Sequence, residues 1–372
     1  MADGMKKIAC IVGTRPEGIK MAPVIRALKA ADWAEGIVVS TGQHREILTQ
    51  TLGDFGVGVD IDLDLMEPRQ TLASLTGKLF REIDPVLMDL KPDLVLAQGD
   101  TTSVMAASVG CFYRQIPFGH VEAGLRTGDL QHPFPEEFNR VVTAKTAALH
   151  FAPTELSAEN LLSEKIDRAQ VFVTGNTVVD ALLYMSERLR PEDLPLPLPQ
   201  GAPMVLVTAH RRENFGLPIR EICAALKTLA ARHPQTTFVY PVHPNPEIRD
   251  VVYGELSETR GVMLLPPVGY REMVALMKAA TLVLTDSGGV QEEAPALAKP
   301  VLVLRETTER PEAVAAGVVK VIGTDREGIV REVSRLLDDA GAFSAMARGV
   351  SPYGDGQASR RIMEISRSFL GA

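Results

Sequence analysis

Residues 6–31 read KKIACIVGTRPEGIKMAPVIRALKAA. The apolar run Ile8 to Val12 stops at Gly13, and from Pro16 onward apolar side chains recur at helical spacing. A short unbroken apolar run, a glycine turn and an amphipathic segment together predict a strand buried on both faces that feeds a crossover helix. The turn looks at first like a triphosphate loop, since Gly13 and Gly18 have the GxxxxG spacing. Ile19 then separates the second glycine from Lys20, and Met21 stands where a magnesium-holding hydroxyl belongs. Pro16 suits the first helical position, where its missing N–H costs nothing. The amides of the turn, Arg15 and Lys20 are therefore expected to face an anion that comes without magnesium.

The same unit repeats along the chain. KKIACIV, GIVVST, DLVLAQ, IPFGHV, ALHFAP and QVFVTG form a first set of strands, and MVLVTA, TTFVYPV, GVMLLPP, TLVLTDS and PVLVLRE a second. Helical segments such as TTSVMAASVGCFYRQ and LPIREICAALKTLAARH lie between them. Between the sets, RPEDLPLPLPQGAP is rich in proline, which removes backbone donors and disfavours helix, so it reads as a surface connection. With 372 residues the chain is long enough for about two domains, each able to bury its own core. The fold class is α/β, with two doubly wound parallel sheets. Ligands of such sheets sit beyond the carboxyl ends of the strands, and two of them are expected to share an interdomain cleft.

A formal charge of -8 excludes a broad nucleic-acid surface, so any anion site must be local. Cys10, Cys111 and Cys223 are odd in number and far apart, which argues against a disulfide framework or a zinc site and fits a reducing cytoplasm. No signal-peptide core and no membrane-spanning run is expected.

Polar residues gather just after the strands. AQGDTTS puts Asp100 at a strand end, and HVEAGLRTGDLQHPFPEEFNR strings His120, Glu122, Arg126, Asp129, His132, Glu136, Glu137 and Arg140 along one loop and helix start. Glu136 and Glu137 could also serve only the helix dipole. VTAHRRENFG offers His210 to Asn214, and YPVHPNPE offers His243. The sharpest anion signal is LTDSGGVQEEAP: Ser287, Gly288 and Gly289 let a phosphate approach backbone amides at a helix start, and Glu293 one turn on suits a ribose hydroxyl. RETTERPEA adds Arg305 and Arg310, which favours a diphosphate.

The strings GTRPEGIKMAP, TGQH, QGDT, HVEAGLRTGD, PFPEEFNR, GNTVVDAL, TAHRREN, PVHPNP, DSGGVQEEAP and TTERPEAV, in that order from Gly13 to about Val314, closely resemble the non-hydrolysing UDP-N-acetylglucosamine 2-epimerases. The resemblance implies a fold like that of the GT-B glycosyltransferases, with Rossmann-like domains at 1–175 and 176–353 and a final helix, 354–372, returning to the first. It implies reversible epimerisation of UDP-N-acetylglucosamine at carbon 2 through loss and re-addition of UDP, and a homodimer supplying cell-surface polysaccharide synthesis; no metal cluster and no GxGxxG turn in the first βα unit is read in the sequence, so no cofactor is expected. Asp100, Glu122, Glu136 and His210 match the family's catalytic positions. Arg15, Lys20, Ser287, Gly288, Gly289, Glu293 and Arg310 match its substrate-binding positions. Gln43, Arg69 and His243 match the positions of a second, activating UDP-N-acetylglucosamine. Other readings are a hydrolysing relative that releases N-acetylmannosamine and UDP, an epimerase for a 2,3-diacetamido UDP-sugar, a GT-B glycosyltransferase, and a silent nucleotide-sugar sensor.

Overall fold

In the computed structural model, which describes residues 5–42, 45–67, 69–197 and 201–372 (at 45–47 the backbone only), the first unit of sequence folds as its pattern requires. β1 (Lys6–Val12) has its last five residues buried. α1 (Arg15–Lys29) begins at Thr14, whose hydroxyl accepts from the Glu17 amide while the Glu17 side chain reaches back to the Thr14 amide. That reciprocal pair satisfies donors the helix start leaves open.

The chain continues through β2 (Ala34–Ser40), α2 (Arg45–Asp54), β3 (Ile61–Asp62), α3 (Leu72–Leu90), β4 (Leu94–Gln98), α4 (Thr102–Arg114), β5 (Phe118–Val121), α5 (Glu136–Thr146), β6 (Leu149–Ala152), α6 (Glu155–Ser163), β7 (Val171–Val173) and α7 (Thr177–Ser186). The strands pair in parallel in the order β3-β2-β1-β4-β5-β6-β7. On one face Ile11, Val95 and Ala97 pack against Leu79, Ile83 and Leu87 of α3 and Val104 and Cys111 of α4. Burial of each large aliphatic side chain contributes roughly 1.5–3 kcal/mol.

A second sheet is built from β8 (Met204–Thr208), α8 (Leu217–Arg232), β9 (Thr237–Pro241), α9 (Pro246–Leu256), β10 (Val262–Leu265), α10 (Tyr270–Ala279), β11 (Leu282–Thr285), α11 (Gly288–Glu293), β12 (Val301–Val303), α12 (Pro311–Ala315), β13 (Val319–Val321), α13 (Arg326–Asp338) and α14 (Ala340–Met346). Its parallel order is β10-β9-β8-β11-β12-β13. Val205, Val207, Phe238, Tyr240, Leu282 and Leu284 meet Leu226 of α8 and Ile329 and Val333 of α13 in its core. Both sheets are thus Rossmann-like and doubly wound, as the sequence pattern required. In each the strand order reverses beside the first strand, between β1 and β4 in one and between β8 and β11 in the other. At such a point the flanking helices diverge to opposite faces and leave a crevice beyond the strand ends.

The chain divides into two compact units, Met1–Leu183 with Tyr353–Ala372, and Tyr184–Pro352. The first ends at Leu183, within α7, whose Val178, Val179, Ala181 and Leu182 are buried. It also holds the last helix, α15 (Ala358–Leu370). Gln357, at the N-cap of α15, makes no side-chain cap. The cap comes instead from Asp180 in α7, whose carboxylate accepts from the amides of Ala358 (3.2 Å) and Ser359 (2.8 Å) and from the Ser359 hydroxyl (2.6 Å). None of the helices among the described residues is long and apolar enough to cross a membrane.

Candidate active site

The turn after β1 is filled by a carboxyl group of its own. Glu17 is buried, and its Oε2 accepts from the amides of Gly13 and Thr14, each at 2.7 Å, while Oε1 accepts from the Thr101 hydroxyl at 2.6 Å. The expectation that these amides face an external anion is corrected: the carboxylate three residues on already occupies them. Burial pushes the Glu17 carboxyl up from the ordinary range, against the pull of these hydrogen bonds. The turn is also closed to bulk, since a Cβ on Gly13 would lie 2.4 Å from the Thr41 hydroxyl. The T-x-x-E spacing from Thr14 to Glu17 is the signal that would have found this role. Arg15 opens α1, and Lys20 lies just over one turn further along.

Lys20 turns to the acidic cluster. Its Nζ lies 2.5 Å from Oε2 of Glu122, which also accepts from Gln98 Nε2 at 2.9 Å. Gln98 and Val121 are register partners in β4 and β5, so the turns bearing Asp100 and Glu122 leave the sheet side by side. Glu122 is buried and has φ +64°, a left-handed conformation that non-glycine residues adopt at a cost. Asp100 is held from α5: Arg140 binds its Oδ2 through Nε (2.9 Å) and Nη2 (2.7 Å), and Asn139 donates to its carbonyl at 2.9 Å. Arg140 also binds Glu137 at 3.0 Å. Burial works against the Arg140 charge, but Asp100 and Glu137 outweigh it and push its pKa higher still.

The two adjacent glutamates of α5 have different surroundings. Glu137 is buried and accepts through Oε1 from the amides of Thr127 and Gly128, both at 3.0 Å, which fixes the preceding loop to the helix. Glu136, the first residue of α5, has a buried Oε2 with no hydrogen-bond partner. A carboxylate oxygen in that state is poised for a donor from outside the protein. His120 does not add charge to this cluster. It is buried in β5 with Nε2 2.7 Å from the Gly99 carbonyl, and burial pushes its pKa down to about 4.

In the second unit the polar residues collect between β8 and β11. Asp286 is fully buried, and its Oδ2 accepts from the amides of His210 (2.7 Å) and Arg211 (2.8 Å) and from Asn214 Nδ2 (2.9 Å). The His210 ring stacks on His243, with centroids 5.4 Å apart and planes at 11°. Burial lowers the His210 pKa, opposed by Asp286 and reinforced by His243 and Arg211.

Ser287 precedes α11, and Gly288 and Gly289 open it. A Cβ on Gly288 would lie 3.4 Å from Arg211 Nη2 and 3.9 Å from Arg310 Nη2, so two guanidinium groups converge on the backbone that glycine leaves bare. Arg310 is steered there by Glu292, whose Oε1 lies 2.5 Å from its Nε. Glu293 accepts from the Tyr270 hydroxyl at 2.7 Å. Arg305, in contrast, is tied to Glu213 at 2.5 Å.

Among the residues matched to an activator site, Gln43 lies outside the described residues, Arg69 is exposed with φ +60°, and His243 is the stacking partner of His210. Sequence reasoning missed the supporting residues Gln98, Asp286 and Glu292, because each acts on a partner from another strand end or turn, and it missed Glu17, whose local role the T-x-x-E spacing signals. Among the described residues no group of three or more His, Cys, Asp or Glu side chains is arranged to hold a metal ion.

A family model described as UDP-N-acetylglucosamine 2-epimerase matches residues 26–367. A relative from Escherichia coli K12 named UDP-N-acetylglucosamine 2-epimerase is 50% identical over 371 residues, covering 97% of this chain and 98% of its own. The crystal structure of UDP-GlcNAc 2-epimerase from Neisseria meningitidis bound to UDP-GlcNAc is similar with a TM-score of 0.91 and 45% identity, over 97% of this chain and 100% of that one. A co-structure of an S. aureus protein with UDP gives a TM-score of 0.88 and 42% identity, over 99% of this chain and 97% of that one.

Proposed function

The chain belongs to the UDP-N-acetylglucosamine 2-epimerase family, and from that premise we propose that it interconverts UDP-N-acetylglucosamine and UDP-N-acetylmannosamine without net hydrolysis. Carbon 2 has no adjacent carbonyl to acidify its hydrogen, so direct enolisation is closed. A carboxylate removes the carbon 2 proton, the C–H electron pair becomes the carbon 1–carbon 2 double bond, and the carbon 1–oxygen pair leaves with UDP. The 2-acetamidoglucal and UDP then recombine: UDP adds to carbon 1, and carbon 2 takes a proton on its other face.

Asp100, Glu122 and Glu136 are the acid/base groups of this reading, which also stabilise cationic character on the ring. Arg15, Lys20, Arg310, Ser287, Gly288 and Gly289 bind the substrate, with Arg310 and the glycine turn taking the diphosphate and Glu293 the ribose. His210 assists the departing and returning diphosphate. The observation that supports this reading most is the pair of acids, Asp100 and Glu122, after the neighbouring strands β4 and β5, together with the partnerless buried oxygen of Glu136 at the start of α5. A protein that only bound a nucleotide sugar would have no use for a carboxylate oxygen kept buried without a donor, as in Glu136. The same reading has the enzyme acting as a cytoplasmic homodimer that supplies surface polysaccharide synthesis, with Arg69 and His243 contacting an activating nucleotide sugar.

Incubation with UDP-N-acetylglucosamine in heavy water, followed by proton NMR, tests it. Deuterium at carbon 2 of both epimers with UDP-sugar conserved is the expected result. Accumulation of free UDP and N-acetylmannosamine would instead mark a hydrolysing enzyme, and no exchange at carbon 2 would remove the epimerase mechanism altogether.

A further inference from the structure

Asp286 has two oxygens in unlike states. Oδ2 takes three donors, the amides of His210 and Arg211 and the side chain of Asn214. Oδ1 is buried and has no hydrogen-bond partner, and the His210 Nδ1 lies 3.4 Å from it. A buried carboxylate oxygen without a donor is costly, and it is kept where function calls for it. An N–H on Nδ1 would meet this need with a small rotation of the imidazole, of the kind that tightens when an active site fills. The opposite ring face is closed by the stacked His243, which keeps the plane in register.

We propose that Asp286 is the positioning residue of His210: it holds the proton on Nδ1, so that Nε2 alone gains and loses a proton opposite the diphosphate. The inference rests on the part given to His210 in the proposed reaction. Asp286 does this work because it bridges the two turns of the strand-order reversal, holding the His210 turn by its backbone while it opens the Ser287–Gly289 turn itself. The charged and titratable groups facing His210 are Asp286, Arg211 and His243.

Asp286→Asn discriminates. The three donors now on Oδ2 fix the orientation of the new amide, since they must meet its oxygen. Its NH2 then faces His210 Nδ1 and forces the proton to Nε2. In protein labelled with nitrogen-15 at histidine and saturated with UDP, His210 is assigned by comparison with His210→Gln. The wild type is expected to show the Nδ1–H tautomer and Asp286→Asn the Nε2–H tautomer. Turnover should fall roughly 100-fold with KM changed less than about twofold, and the pH–rate limb of His210 should move to lower pH.

A wild-type Nε2–H tautomer, or a tautomer unchanged by the substitution, overturns the inference. The wild-type spectrum decides even where the variant does not fold. Unimpaired turnover in His210→Gln would separately overturn the role of His210 on which the inference rests.

Discussion

Glu122 is constrained in both its backbone and its side chain. Its backbone is left-handed, and its Oε2 is shared by Lys20 and Gln98. Replacement by glutamine keeps the size and leaves the fold intact, but removes the charge that pairs with Lys20. Glu122→Gln is expected to bind UDP with near wild-type affinity by calorimetry and to lose turnover by roughly 100-fold or more. Near-normal turnover would take Glu122 out of the catalytic set. At this scale the sequence exposed residues whose chemistry is visible in isolation, such as the carboxylates after strands and the paired glycines. Residue chemistry alone did not distinguish Glu136 from Glu137, and only the family resemblance singled out Glu136, since two adjacent identical side chains differ only in what surrounds them: Glu137 pins a loop, and Glu136 keeps an unpartnered oxygen.

Elements depend on each other through contacts between segments remote in the chain. α15 takes its N-terminal cap from Asp180, so Asp180→Ala should lower stability by about 1–2 kcal/mol in urea unfolding and speed proteolysis of the C-terminal segment. Unchanged cleavage would show that apolar packing by Ile362 and Met363 suffices. Two neighbouring strands make a second case, because His120 of β5 and His150 of β6 are register partners and both are buried. Burial pushes their pKa values down to about 4 and about 3. Below about pH 6.5 the unfolded chain binds protons that the folded histidines refuse, so stability is lost as pH falls through that window. His120 alone is expected to cost about 3 kcal/mol by pH 4. Urea midpoints at pH 7.5 and 5.0 measure the loss, and His120→Gln should make the pH dependence shallower. Equal dependence in both proteins would sink this account. The periodicity of the chain did not reveal β3, whose two residues carry no apolar run to read, or β13, whose apolar stretch is interrupted by Lys320.

For the whole molecule, burial is the quantity that unites its parts. Cys10, Cys111 and Cys223 lie in the cores of the two units, and burial pushes each thiol up to about 12. A thiol reagent at pH 8 should modify none of them in the native protein and all three in denaturant; rapid native labelling would reveal opening of a core on the assay timescale. By itself the sequence determined the α/β class, the repeat into two doubly wound sheets and the strand ends after which polar residues gather. Strand and helix periods and turn chemistry are local properties, set by neighbours a few residues away. Tertiary structure alone decided that Thr101 meets Glu17 from another turn, that Asp180 of α7 caps α15, and that Asp286 holds two turns together. These are pairings between groups 76 to 179 residues apart, and a pairing of buried polar groups is fixed only when the chain has folded and desolvation leaves each group one partner to take.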